Sequence, residues 1–92
     1  MWKILVTKTA ARELVKAPQE ILEAFDAWTI EVEYSGPAGL LKINGYRDHA
    51  LHGEWAGARA SYLNKKWRVI YWTDGTTVTV TVVRISPHDY RR

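Results

Sequence analysis

Residues 58–85, ARASYLNKKWRVIYWTDGTTVTVTVVRI, decide the fold. Three segments within them, Ala58 to Asn64, Trp67 to Thr73 and Thr77 to Ile85, have strand length and are rich in β-branched and aromatic residues, which suit a pleated, half-buried surface. Lys65-Lys66 separates the first two and Asp74-Gly75 the last two; Asp-Gly between such runs is a strong hairpin signal. The segment therefore reads as a three-stranded antiparallel meander. From Thr77 to Val82 polar and apolar β-branched residues alternate, and Val83 breaks the alternation. Either both faces are covered at that end or a bulge shifts the register. Ser86-Pro87 ends the last strand and leaves a short polar tail from His88 to Arg92.

Working outward, the N-terminal half has a helical period. Ile21, Phe25, Trp28 and Val32 recur at intervals of four, three and four, one apolar stripe flanked by Glu23, Asp26, Glu31 and Glu33. Pro18 costs no needed donor in a first turn, so the helix is expected from Pro18 to about Tyr34, with Glu20 and Glu23 near its positive end. A shorter helix is expected to precede it, capped by the Thr9 hydroxyl and running to Ala17. Before that, Trp2 to Thr7 is a short apolar run; pattern alone does not say whether it joins the meander. Between Leu40 and Gly57 neither period is sustained, and the stretch reads as a long ordered connection carrying His49, His52 and Glu54. A helix with one apolar stripe needs a sheet face to bury it. The expected fold is one α+β domain spanning residues 1–92, two N-terminal helices on a small, mainly antiparallel sheet in the order β-α-α-β-β-β.

Composition narrows the function. The 92 residues hold no cysteine, which removes disulfides, thiolate nucleophiles and zinc–thiolate sites, and fits a reducing, cytoplasmic setting. No apolar run approaches the roughly 20 residues that span a bilayer, so no membrane partner is expected. Charge is uneven: residues 1–41 carry four basic and six acidic groups, a net of −2, whereas residues 42–92 carry nine and four, a net of +5, together with all three histidines. A basic, histidine-bearing half is expected to meet phosphate, while the glutamate-rich helix faces away from it.

No phosphate-binding glycine loop, metal-ligand spacing or serine-nucleophile context occurs, so neither metal nor cofactor is expected. The candidate chemistry lies in His49 and His52, in Arg59 and Arg68 on successive strands, and in His88 and Tyr90. Histidine both accepts and donates a proton near neutral pH, and guanidinium suits a phosphate gaining charge. Strand alternation allows Arg59 and Arg68 to line one surface. These are the parts of a metal-free RNA endonuclease that uses the substrate's 2′-hydroxyl as nucleophile. The competing structural roles are ordinary ones: arginines lying over the sheet or paired with helix carboxylates, histidines in solvent, and Trp55, Trp67 and Trp72 as packing.

Three separated stretches carry a resemblance. Asp48-His49-Ala50-Leu51-His52-Gly53-Glu54-Trp55-Ala56-Gly57-Ala58-Arg59, then Trp67-Arg68-Val69-Ile70-Tyr71, then Ser86-Pro87-His88-Asp89-Tyr90, are similar to the RelE/ParE toxin superfamily, the first of them closest to its YafQ- and YoeB-like branch. The resemblance implies the toxin of a type II toxin–antitoxin system, a bacterial cytoplasmic protein that cleaves mRNA in the ribosomal A site. It would be held inactive by a cognate antitoxin and meet operator DNA only within the toxin–antitoxin complex. It further implies catalytic roles for His49, His88, Arg68 and Tyr90, and a basic strand position at Arg59; Arg59, with Lys65 and Lys66 of the following turn, is expected to contact RNA or phosphate. Two departures stand out: the YafQ-like branch has a histidine and an aspartate where this chain has Tyr62 and Lys66, and Ser61 occupies a place that is lysine in RelE. The alternatives are a ParE-like, non-catalytic inhibitor of DNA gyrase, and a degenerate toxin acting only in antitoxin binding and autoregulation of its operon.

Overall fold

The computed structural model describes residues 1–87; His88 and Tyr90 lie outside the described residues. The main elements are β1 (Lys3–Val6), α1 (Lys8–Val15), α2 (Gln19–Ser35), the one-turn α3 (Pro37–Leu40), β2 (His49–Ala50), β3 (Arg59–Tyr62), β4 (Trp67–Asp74) and β5 (Thr79–Pro87). They form an α+β fold around one five-stranded sheet in the order β1-β5-β4-β3-β2. The meander β3-β4-β5 is antiparallel, as its turn residues require. β1 does join the sheet, parallel to β5, with Ile4 opposite Val80.

The stripe on α2 is the organising element. Ile21, Phe25, Trp28 and Val32 are all buried against Val69, Tyr71, Val80, Val82 and Ile85, with Ala10 of α1 completing the core. The Trp28 indole stacks on Phe25 at 5.7 Å and meets the Tyr71 ring edge-on at 5.4 Å. On the other face a smaller cluster of Leu51, Ala58, Ala60 and Ile70 forms under the loop that follows β2. With both faces covered at its centre, β4 reads Val69-Ile70-Tyr71 without alternation.

Three expectations need correction, and one open alternative is decided. The cap of α1 is Thr7 rather than Thr9; its hydroxyl accepts from the Ala10 amide at 3.2 Å. The connection from Leu40 to Gly57 is not without regular structure: it contains two 3-10 turns, Asn44–Tyr46 and Gly53–Trp55, and the two-residue strand β2, too short to show a period. Both explanations for Val83 hold: Ile70 pairs with Arg84 and Tyr71 with Val82, a bulge, and Val83 packs on the smaller cluster while Val82 lies in the helix-side core. The third correction concerns Arg59 and Arg68, which lie on opposite faces of the sheet. A two-residue turn at Lys65-Lys66 would set Leu63 across from Arg68 and put the arginines on one side. Instead Leu63 donates its amide to the Trp67 carbonyl at 2.8 Å, and Asn64 Oδ1 accepts from the amides of Lys66 and Trp67, giving a three-residue turn. Tyr62 is then the residue opposite Arg68, and a slip of one exchanges the faces.

Gly57 ties the β2–β3 loop to the sheet. Its φ of 99° lies in the region glycine tolerates, and a Cβ there would come within 2.7 Å of Trp72 Cζ3. Gly57→Ala should lower unfolding free energy by about 1–3 kcal/mol in urea titration, from strain and displacement of the ring together. A loss below about 0.5 kcal/mol, the range of neutral surface changes, would mean that the loop is not pinned there.

Candidate active site

Asp48 and His49 are neighbours in sequence and point to opposite faces of the sheet, which is how the site is built. On the helix-covered face the Asp48 side chain is 0% exposed and accepts three hydrogen bonds: from Arg59 Nε at 2.7 Å, from Ser61 Oγ at 2.6 Å and from Tyr71 Oη at 2.5 Å. Ser61 Oγ in turn accepts from the Trp28 indole at 3.0 Å, which connects the clasp to the core stripe. A buried carboxylate is tolerated only when paired and hydrogen-bonded in this way. Burial, and then the hydrogen bond and charge of Asp48, push the Tyr71 phenol above its ordinary range. At Arg59 burial acts downward, but the Asp48 hydrogen bond and charge outweigh it and hold the guanidinium charged. Arg59 is therefore committed to Asp48 and does not share a surface with Arg68.

On the opposite, open face, His49 pairs with Ala60 and Arg68 with Tyr62, so His49, Tyr62 and Arg68 project from the same side. His49 Nδ1 lies 2.8 Å from the Arg47 carbonyl oxygen. A carbonyl only accepts, so Nδ1 carries the proton and, in the neutral ring, Nε2 bears the lone pair. The imidazole meets the Tyr62 ring edge-on at 6.4 Å. The Arg68 guanidinium lies over that ring, Cζ 3.4 Å from its centroid, and Arg47 Cζ lies 5.5 Å from it. Nη1 of Arg68 donates to the carbonyls of Asn64, Lys65 and Trp67, the shortest contact being 3.0 Å to Lys65. Arg68 is only 9% exposed, so only a group that reaches the sheet surface can meet it.

Of the residues singled out from the sequence, His49 and Arg68 come together, Arg59 is turned away, and Lys65 and Lys66 are exposed at the β3–β4 turn beside Arg68. Sequence reasoning missed Arg47, Tyr62 and Asp48 as parts of the site. Asp48 becomes identifiable only once the register puts Ser61 and Tyr71 on the helix-covered face, where their buried hydroxyls need an acceptor. Tyr62 entered the sequence reading only as a departure, and it is the ring on which the other groups assemble.

No family model and no curated protein matches the chain. Solved structures do. The YoeB/ParE toxin from Agrobacterium tumefaciens aligns with a TM-score of 0.76 at 17% identity, covering 95% of this chain and 99% of that one. YafQ from E. coli aligns at 0.79 with 14% identity, over 96% and 94%. The toxin–antitoxin complex RelBE2 from Mycobacterium tuberculosis aligns at 0.64 with 25% identity, over 95% and 98%. Nearly full coverage of both chains makes the correspondence one of whole folds rather than of a shared hairpin. The chain has the fold of the RelE, YoeB and YafQ toxins.

Proposed function

We propose that this chain is the toxin of a toxin–antitoxin pair and that it cleaves mRNA on the ribosome by metal-free attack of the substrate's own 2′-hydroxyl. The observation that carries the reading is His49, whose Nδ1 is committed to the Arg47 carbonyl, so that Nε2 is the acceptor on the face where Arg68 is held over Tyr62. In this reading His49 Nε2 removes the 2′-hydroxyl proton, the 2′-oxygen bonds to phosphorus, and the bond to the 5′-oxygen breaks as an acid returns a proton to it. The products are an upstream 2′,3′-cyclic phosphate and a downstream 5′-hydroxyl. Arg68 offsets the charge that gathers on the phosphorane, where a fixed cation acts most strongly. His88 and Tyr90, which the motif resemblance marks, are the proposed acid and its partner, and Lys65 and Lys66 are proposed to hold flanking phosphates. Arg59, bound to Asp48, is assigned to the scaffold rather than to RNA.

An antitoxin partner is supported by the fold, since relatives of the same fold are found in complexes such as RelBE2 from Mycobacterium tuberculosis and YoeB-YefM from Staphylococcus aureus. Among the described residues no helix is long and apolar enough to cross a membrane. The test is a translation reaction with purified ribosomes and a defined mRNA, with RNA ends mapped by primer extension. New ends confined to translating ribosomes, with a cyclic phosphate or its hydrolysis product upstream, are the expected result. Intact mRNA at protein concentrations equal to the ribosomes would overturn the reading and leave gyrase supercoiling as the next assay.

A further inference from the structure

The chain treats its strand and loop arginines in two ways. Arg59 is neutralised by Asp48, and Arg84 by Glu13, which receives Nε at 2.9 Å and Nη2 at 2.7 Å. Arg47 and Arg68 meet no carboxylate among the described residues, yet both guanidinium groups converge on the Tyr62 ring. The negative ring face attracts each cation, but two like charges on one ring still repel each other, and an anion beside them relieves that repulsion. Arg47 is also held in an uncommon backbone conformation. It ends the Asn44–Tyr46 turn at φ 45° and ψ 40°, the left-handed region that a non-glycine residue rarely occupies. That conformation coincides with its carbonyl accepting from His49 while its side chain reaches Tyr62. Strain retained at such a place points to a use.

We propose that Arg47, Tyr62 and Arg68 form a binding site for the phosphodiester backbone of single-stranded RNA, with the exposed Arg47 as outer cation and the nearly buried Arg68 as inner one. The inference rests on the RNA-cleaving reading for its ligand and adds Arg47 and Tyr62 to the groups that hold the substrate. Arg47 thus serves the site twice, by its carbonyl on the base and by its guanidinium on the phosphate.

The test measures binding apart from cleavage. A fluorescent 2′-O-methyl RNA hexamer cannot be cut through its 2′-position, and its affinity for the full chain is read by anisotropy across a KCl series. Arg47→Gly removes the guanidinium and suits the left-handed backbone, so the turn keeps its conformation. It should weaken binding about fivefold to tenfold and lower the slope of log affinity against log salt by about 0.7, the value for one phosphate contact on a single strand. Arg47→Lys should recover the slope and only part of the affinity, because an ammonium keeps the charge and loses the planar fork of donors that matches a phosphate. Lys3→Gln changes the same charge on β1, at the far edge of the sheet from β2, and should leave affinity within about twofold. The proposal is overturned if the parent does not bind the hexamer, if Arg47→Gly binds like the parent, or if Lys3→Gln loses as much. RNA binding that depends on Arg47, with translating mRNA left intact, would keep this site and remove the nuclease reading.

Discussion

Replacing Asp48 with alanine should lower the thermal midpoint by about 10 °C or more. The carboxylate is fully buried and is the common acceptor for Arg59, Ser61 and Tyr71. Removing one member of a buried ion pair costs roughly 3–5 kcal/mol; here the Arg59 side chain is 33% exposed and can rehydrate, whereas the Ser61 and Tyr71 hydroxyls stay desolvated without their partner, so the low end, about 3 kcal/mol, is expected. A domain of 60–100 residues loses about 4–8 °C per kcal/mol, and its whole stability is only about 5–15 kcal/mol. Tyr71→Phe, which deletes one donor and leaves the carboxylate its other two, should cost less, about 1.5 kcal/mol, the low end for a hydrogen bond to a charged group. Thermal unfolding followed by circular dichroism checks both, and a midpoint for Asp48→Ala within about 3 °C of the parent, on the same scale, would mean the clasp contributes little. The raised Tyr71 pKa carries a signed consequence. Stability from keeping the phenol protonated is fully present below the ordinary tyrosine value of 10.0 and is withdrawn only as pH climbs through the higher folded value. The clasp should therefore confer no pH dependence through Tyr71 in the neutral range.

Much of this fold is legible because the burial that dominates its stability is periodic along the chain. The α2 stripe and the β-branched runs of the meander each state which face is buried, and Asp74-Gly75 marks a turn that Asp74 Oδ1 closes by accepting from Thr76 and Thr77. What could not be read depends on single residues. β2 has two residues and therefore no period, although it brings His49 to the sheet. The faces of Arg59 and Arg68 turn on whether two or three residues make the β3–β4 turn, and the side chain of Asn64 decides that by binding two backbone amides. Asp48, in a glycine-bearing connection, looks like a solvated loop residue until the register brings Ser61 and Tyr71 onto its side. The candidate site was thus half legible: His49 and Arg68 carry chemistry in their residue types, whereas Tyr62 and Arg47 acquire a role only from where the chain puts them.

His49→Gln should reduce the rate of mRNA cleavage on translating ribosomes by about 10²–10⁴, the usual contribution of a positioned general base. The substitution is chosen because glutamine keeps a polar side chain of similar reach while it has no lone pair basic enough to take the 2′-hydroxyl proton. His49 is only partly buried and lies outside both apolar clusters, so the thermal midpoint should move by no more than a few degrees. A large loss of rate with an unchanged midpoint therefore reports chemistry, whereas the Asp48→Ala variant loses fold and rate together. The two substitutions fall on adjacent residues and test opposite faces of one sheet: the buried acid that fixes the end of β2, and the imidazole that this anchoring holds beside Tyr62. Parental cleavage by His49→Gln, measured in single turnover so that product release does not hide the chemical step, would remove His49 as the base and leave the proton to another group on the open face.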